Sequence, residues 1–319
     1  MAVYTEVADG ELRGFLADYD IGELVAYRGI AEGVENSNYS LRTGAGDYIL
    51  TLYERRVDPA ELPWFLGLMD HLAHHGVVCP QPVAGRDGNP LRPLAGRLAA
   101  ITNFLPGVWP RMVEIAHCGP LGAALASLHL AGASYLPERV NNLAPPRLGG
   151  LLQACLPRAG ELEAGFGEAL EASLAAILQD WPLDLPRGQI HADLFPDNVF
   201  FLDGRISGLI DFYFACTDTL AYDLAVCLNA WCFEPGGAFN RAKATALLAG
   251  YRETRPLSDA EIAQLPVLAR GAAIRFLLTR LYDWLNTPAG AMVTRKDPME
   301  YAVKLRFHES ITGPDAYGL

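Results

Sequence analysis

The sequence predicts an α+β fold in two lobes: an N-terminal antiparallel sheet with one main helix, then a mainly helical C-terminal lobe that carries a β-hairpin. Three observations predict it. The 319-residue chain exceeds the size at which one core usually suffices. Its first hundred residues hold several short β-rich runs, and the remainder shows helical periodicity, interrupted once by strand-forming residues around a turn signal.

In chain order, ELVAYRGI (23–30), NYSLRT (38–43) and DYILTLYE (47–54) are β-rich runs joined by turn-forming stretches, GAG at 44–46 among them. They predict an antiparallel meander. Asp58, Pro59 and Glu61 supply an N-cap, an N1 proline and a capping-box acid for the helix that follows. Its apolar Leu62, Phe65, Leu66, Met69, Leu72 and Ala73 recur at helical spacing, Gly76 ends it, and its apolar face is expected on the sheet. His71, His74 and His75 crowd its last turns, where the helix dipole accounts for them without a metal. After VVCPQPV and a GRDGNP turn, AAITNFLPGVWP runs from an apolar strand into a connector broken by Pro and Gly. The expected partition is therefore an N-terminal lobe over 1–102, a hinge over 103–107 and a C-terminal lobe over 108–319. In the second lobe Leu121, Leu125 and Leu128 mark one helix and Leu170, Leu174, Ile177 and Leu178 another, with long apolar helices around 240–250 and 268–285. No internal repeat or low-complexity segment is evident.

Composition limits the partners. Lys plus Arg total 25 against 37 Asp plus Glu, a net charge of -12, which argues against a nucleic-acid or anionic-membrane partner. The N-terminus is acidic and lacks a basic region followed by an apolar stretch, so no signal peptide is expected. The longest uncharged segments are too short to span a bilayer, and residues 115–137 show helical periodicity instead of uniform apolarity. A cytoplasmic location is expected. Six cysteines are scattered without a C-x-x-C pair and are expected to be buried thiols.

The chemistry concentrates in QIHADLFPDNVFF (189–201) and LIDF (209–212). VFFLDGRISGLIDF reads as two strands around an Asp203-Gly204 turn, which puts Asn198 at the entry of one strand and Asp211 at the exit of its partner. Asp193 lies five residues before Asn198 in a Pro-containing loop, so three oxygen-bearing side chains can converge. Carboxylates with an amide oxygen suit Mg²⁺, and a further carboxylate beside a metal-phosphate centre can accept the proton of an attacking hydroxyl. The alternative is that these residues only cap and close a hairpin loop.

HADLFPDN followed by LIDF resembles the H-x-D-x-x-x-x-N catalytic loop and the metal-binding Asp of the aminoglycoside phosphotransferase-like kinases, relatives of the protein kinases. Within that family ENSNYSLRT, YILTLYE, HADLFPDNVFF and GLIDFYFACTDTLAYDLAVCLNAWC are similar to the homoserine kinase branch. The resemblance covers most of the chain and implies a protein-kinase-like, two-lobed fold with a nucleotide-binding N-lobe, using ATP and Mg²⁺. It implies Asp193 as catalytic base, His191 as a scaffold residue of the same loop, and Asn198 with Asp211 as Mg²⁺ ligands. Asp223 would have a supporting role. Gly29, Gly33, Asn36, Ser37 and Asn38 would form a phosphate-covering loop, and ITNFLPG, with Asn103 and Leu105, the hinge that contacts adenine. Two departures stand out. Thr51 occupies the third-strand position where such kinases carry Lys or Arg, so that Arg55 or Arg42 could supply the charge or Mg²⁺ and the loop amides could suffice, and Ala192 stands where the family often has glycine. Glu61 is the helix candidate for the glutamate that would pair with such a cation, although its place suits a capping box better.

The implied substrate is a small amino acid, L-homoserine, phosphorylated on its side-chain hydroxyl to O-phosphohomoserine, on the route to threonine. Residues 212–319 hold eleven acidic and eleven basic residues, a balance that suits a zwitterion better than a polycation. Asp218 could receive the ammonium group and Arg275 or Arg280 the carboxylate, with Trp231, Tyr282 and Trp284 as aromatic neighbours, although helical spacing also allows ordinary ion pairs there. The alternatives are a kinase of another small hydroxyl substrate, of the aminoglycoside, choline or methylthioribose type, and a pseudokinase-like nucleotide-binding module.

Overall fold

The computed structural model describes residues 5–30, 36–54, 58–287 and 295–319. The chain divides into two compact units: Met1–Gly107 with Ser207–Tyr213, and Val108–Ile206 with Phe214–Leu319.

The first unit contains α1 (Asp9–Leu16), β1 (Leu24–Gly29), β2 (Ser37–Thr43), β3 (Gly46–Tyr53), α2 (Leu62–His74), β4 (Leu91–Leu94) and β5 (Arg97–Asn103). The five strands form one antiparallel sheet in the order β1-β2-β3-β5-β4. Successive residues of a strand face opposite sides. Leu41, Leu50, Leu52, Ala99 and Ile101 therefore line one face, and they share a core with Leu12, Phe15 and Leu16 of α1. The sequence reading missed α1, because a short helix with three buried apolar residues in an acidic segment has too few turns to display its period.

The opposite face carries Thr51 and Tyr53. Phe65 of α2 meets the Tyr213 ring at 5.7 Å, and Tyr213 meets Tyr53 at 5.5 Å, so α2 reaches this side of the sheet. Its start differs from the expected capping box. The helix begins at Leu62, Glu61 is the N-cap without a side-chain capping bond, and Asp58 Oδ1 accepts the Ala60 N–H at 2.9 Å in the turn before it. Residues 207–213 belong to this unit although a linear division at 103–107 assigns them to the other. The Leu209 N–H donates to the Val78 carbonyl at 2.8 Å, and the Tyr213 hydroxyl donates to Tyr53 at 3.2 Å.

The second unit contains α3 (Ile115–Gly132), α4 (Gly149–Ala159), α5 (Phe166–Asp180), β6 (Arg187–Ile190), β7 (Val199–Leu202), β8 (Arg205–Leu209, whose last residues count with the first unit), β9 (Cys216–Thr219), α6 (Leu220–Trp231), α7 (Arg241–Thr254), α8 (Asp259–Asn286) and α9 (Met299–Ser310). β6 pairs with β9, and β7 with β8 across the expected turn, where Asp203 and Gly204 take φ +51° and +74°. α3 and α7 cross closely at glycines: a Cβ on Gly250 would stand 2.1 Å from the Gly119 carbonyl oxygen, and one on Gly122 2.1 Å from that of Leu247. α8 starts with a reciprocal Ser258/Glu261 capping box. By length and composition α8 could cross a membrane, but 67% of its apolar window is buried inside the structure. All six cysteines are free and buried, and burial pushes the Cys79 thiol up to about 12 and that of Cys118 up to about 11.

Candidate active site

β6 delivers the chain into the loop His191–Phe195, and a short helical turn, Pro196–Asn198, leads into β7. A loop cannot satisfy its own backbone, so its geometry depends on which side chains do so. Asp223, fully buried on α6, accepts the His191 N–H at 2.7 Å and the Ala192 N–H at 2.8 Å, and lies 3.2 Å from His129 Nε2. The Asp193 N–H donates to His191 Nδ1 at 3.3 Å. The Asp193 carbonyl accepts from the Phe195 N–H and from Asn198 Nδ2, both at 2.8 Å. The indole N–H of Trp231 donates to the Leu194 carbonyl at 2.8 Å. Arg275 Nη1 donates to the Ala192 carbonyl. The loop is therefore tied down peptide by peptide, while the Asp193 side chain stays partly exposed.

Burial alone would raise the Asp223 pKa. The hydrogen bond and charge of His129, with the His191 N–H, overcome it and hold the carboxyl below its ordinary value. His129 in turn meets the Tyr251 hydroxyl at 2.7 Å, Tyr251 receives Arg255 at 3.1 Å, and Arg255 pairs with Glu261 at 2.9 Å. This buried chain runs from the loop to the α8 capping box, and sequence reading missed it. The available signal was one histidine inside the apolar run LASLHLAG.

Asn198 is buried, and its amide nitrogen is spent on Asp193, with a second, longer approach to Asp193 Oδ2 at 3.4 Å. That leaves the amide oxygen as its open donor atom among the described residues. Asp211, with φ +67°, follows β8 by two residues and is held in the first unit by the Leu209 and Tyr213 contacts. An amide oxygen and a carboxylate are each hard donors of the kind that divalent cations such as Mg²⁺ take.

In the first unit the expected nucleotide residues separate into two groups. Asn36 and Ser37 are buried and committed to Glu54: Ser37 Oγ donates to Glu54 Oε1 at 2.7 Å, and Asn36 Oδ1 accepts the Glu54 N–H at 3.2 Å. Glu54 also accepts from Thr5 Oγ1 at 2.6 Å and from Arg97 Nε at 2.8 Å. Thr51 Oγ1 donates to Asn38 Oδ1 at 2.8 Å, as their directly opposed register requires. Arg42 is paired with Asp47 at 3.1 Å at the other end of the strands. Gly29 ends β1, whereas Gly33 and Arg55 lie outside the described residues. In the expected hinge, Asn103 Oδ1 accepts the Gln81 N–H at 2.6 Å, and the Leu105 backbone makes no hydrogen bond among the described residues.

The three substrate candidates are engaged. Asp218 accepts from Asn141 Nδ2 at 2.7 Å, and Arg280 is paired with Glu300 at 2.6 Å. Arg275 is 1% exposed and faces the loop carbonyl, and Trp231 is fully buried and bonded to the loop, so neither stands as an open pocket wall.

Residues 26–257 match the phosphotransferase enzyme family. Homoserine kinases of Gluconacetobacter diazotrophicus and Granulibacter bethesdensis are each 66% identical to this chain over all of it and all of themselves. Among solved structures, an amicoumacin kinase in complex with AMP-PNP, Ca²⁺ and Ami superposes with a TM-score of 0.70 at 18% identity, covering 94% of this chain and 92% of that one. A microcompartment-associated aminopropanol kinase gives 0.64 at 20% identity, covering 95% and 97%. The two-unit architecture, the loop centred on Asp193 and the whole-length kinship agree, and the chain belongs to the phosphotransferase enzyme family, among the relatives of the homoserine kinases.

Proposed function

We infer that this chain is an ATP-dependent kinase that phosphorylates the side-chain hydroxyl of L-homoserine, giving O-phosphohomoserine for threonine biosynthesis in the cytoplasm. The observation that carries the reading is identity of 66% to curated homoserine kinases over the full length of both chains.

In this reading Asp193 receives the proton of the substrate hydroxyl while that oxygen bonds to the γ-phosphorus. The bond from phosphorus to the β–γ bridging oxygen breaks, ADP leaves with the electron pair, and the proton passes from Asp193 to solvent. The pinned loop supports this role, because a base held in one orientation lowers the entropic part of the barrier. Asn198 and Asp211 would be the Mg²⁺ ligands that the resemblance implies, and the ion would neutralise charge on the phosphate oxygens. The unspent Leu105 backbone would meet adenine, and the main-chain amides near Gly29 and Asn38 the phosphates. With Thr51 bonded to Asn38, no third-strand cation contributes among the described residues.

Turnover of Mg²⁺-ATP with L-homoserine, L-serine, choline, methylthioribose and kanamycin tests this. Homoserine should be preferred by at least about 100-fold in kcat/KM, and Asp193→Asn should lower kcat by roughly 1000-fold with little change in KM. Preference for choline or kanamycin would remove homoserine as substrate and leave the kinase assignment standing. Near-native turnover of the variant would remove Asp193 as the base.

A further inference from the structure

Arg275 projects from the interior of α8 and is 1% exposed. Its guanidinium lies 4.3 Å from the centroid of Phe276 and 5.6 Å from that of Phe214, and no carboxylate stands within ion-pair distance among the described residues. Taking a cation out of water without a counter-ion is unfavourable, and two aromatic faces, one carbonyl and the neighbouring Tyr222 side chain return only part of the loss. Such a group is therefore expected where its geometry is used.

Ala192 shows the use. Its φ of +62° is a region that crowds any side chain carrying a Cβ, yet alanine occupies it. The Ala192 N–H is held by Asp223 Oδ1 at 2.8 Å, and its carbonyl by Arg275 Nη1. That carbonyl and the Asp193 N–H belong to one planar peptide unit, and the N–H end donates to His191 Nδ1 at 3.3 Å. Arg275 and His191 thus grip the two ends of the plane from which the Asp193 side chain departs. A turn of this plane that is not compensated at the φ of Asp193 reorients the Asp193 Cα–Cβ bond and with it the carboxylate.

We propose that Arg275 is a positioning residue, which holds the Ala192–Asp193 peptide so that the Asp193 carboxylate faces the acceptor hydroxyl, and does not bind the substrate's carboxylate. The proposal rests on the kinase reading above. It also explains why a non-glycine residue persists at Ala192: the left-handed conformation is imposed from both sides by α6 and α8.

The experiment compares the full-length wild type, Arg275→Met and Arg275→Lys, each with and without Ala192→Gly. Acceptors are L-homoserine and 3-amino-1-propanol, which lacks the carboxylate, at saturating Mg²⁺-ATP. Positioning predicts that Arg275→Met lowers kcat by roughly 100-fold, because misplacement of a reacting group by about 1 Å has an effect of that order. The KM for homoserine should change little, and the preference for homoserine over the amino alcohol should stay at its wild-type ratio. Adding Ala192→Gly should restore part of kcat, since glycine adopts positive φ without strain. A raised KM at unchanged kcat, or collapse of the preference ratio toward unity, overturns the proposal and makes Arg275 a substrate contact. Should Arg275→Met not fold, Arg275→Lys, which keeps the charge but loses the planar fork, carries the same comparison. A wild type inactive on homoserine but active on another alcohol overturns only the substrate reading, and the kcat and glycine-rescue arms then run on that alcohol.

Discussion

The hydroxyl of Ser37 donates to the carboxylate of Glu54 across 2.7 Å, joining the first residue of β2 to the residue just past β3. Glu54 gathers Thr5, Arg97 and, through its own N–H, Asn36 at the same corner. Burial would raise its pKa, but the bonds from Thr5, Ser37 and Arg97 bring it below the ordinary value.

Glu54→Gln should therefore destabilise the protein by about 1–2 kcal/mol near pH 7, the typical net worth of one or two charge-assisted hydrogen bonds. Because the folded pKa is depressed, this contribution is complete above the unfolded pKa and disappears as pH falls through the folded one. Urea unfolding of the variant and the wild type at neutral and acidic pH checks both points. An equal deficit at both pH values would contradict the account.

Gly250→Ala should lower stability by about 1–3 kcal/mol or more, since its Cβ would stand 2.1 Å from a backbone oxygen that cannot move without parting α3 from α7. Gly236→Ala, with nothing within 4 Å of the added methyl and no positive φ, is the control. Thermal melts that rank the two variants equally would refute the close crossing.

His308 should make the protein sensitive to mild acid. Burial, then the charges of Lys304 and Arg270, bring its pKa from 6.5 down to about 3. Asn229 spends its amide nitrogen on the Ala225 and Ala269 carbonyls, so its oxygen must accept from His308 Nε2, and His308 Nδ1 then accepts the Tyr317 hydroxyl at 2.9 Å. The unfolded chain takes up a proton below its ordinary histidine pKa while the folded one does not, so stability declines as pH drops from about 6.5 toward 3, by up to about 1.4 kcal/mol per unit. His308→Gln should flatten that slope between about pH 6.5 and 5, where carboxylates contribute little. An unchanged slope in urea midpoints would assign the acid sensitivity elsewhere.

Sequence alone determined what depends on neighbours in the chain. Asp203 and Gly204 are residues that tolerate positive φ, so the hairpin and its flanking Asn198 and Asp211 were legible, as were the meander of β1 to β3 and the longer periodic helices. The family was legible too, because the motif that carries the resemblance, with His191, Asp193 and Asn198, lies within eight residues. What the tertiary structure decided is which polar groups answer one another over long separations. The side chains of Ser37 and Asn36 answer Glu54, and Arg275 and Trp231 answer loop carbonyls 83 and 37 positions away, pairings that no local pattern announces. Periodicity tells which side of a helix is buried, but a buried guanidinium or indole takes its meaning from the acceptor it reaches, and only the packing of α6 and α8 against the loop supplies that acceptor.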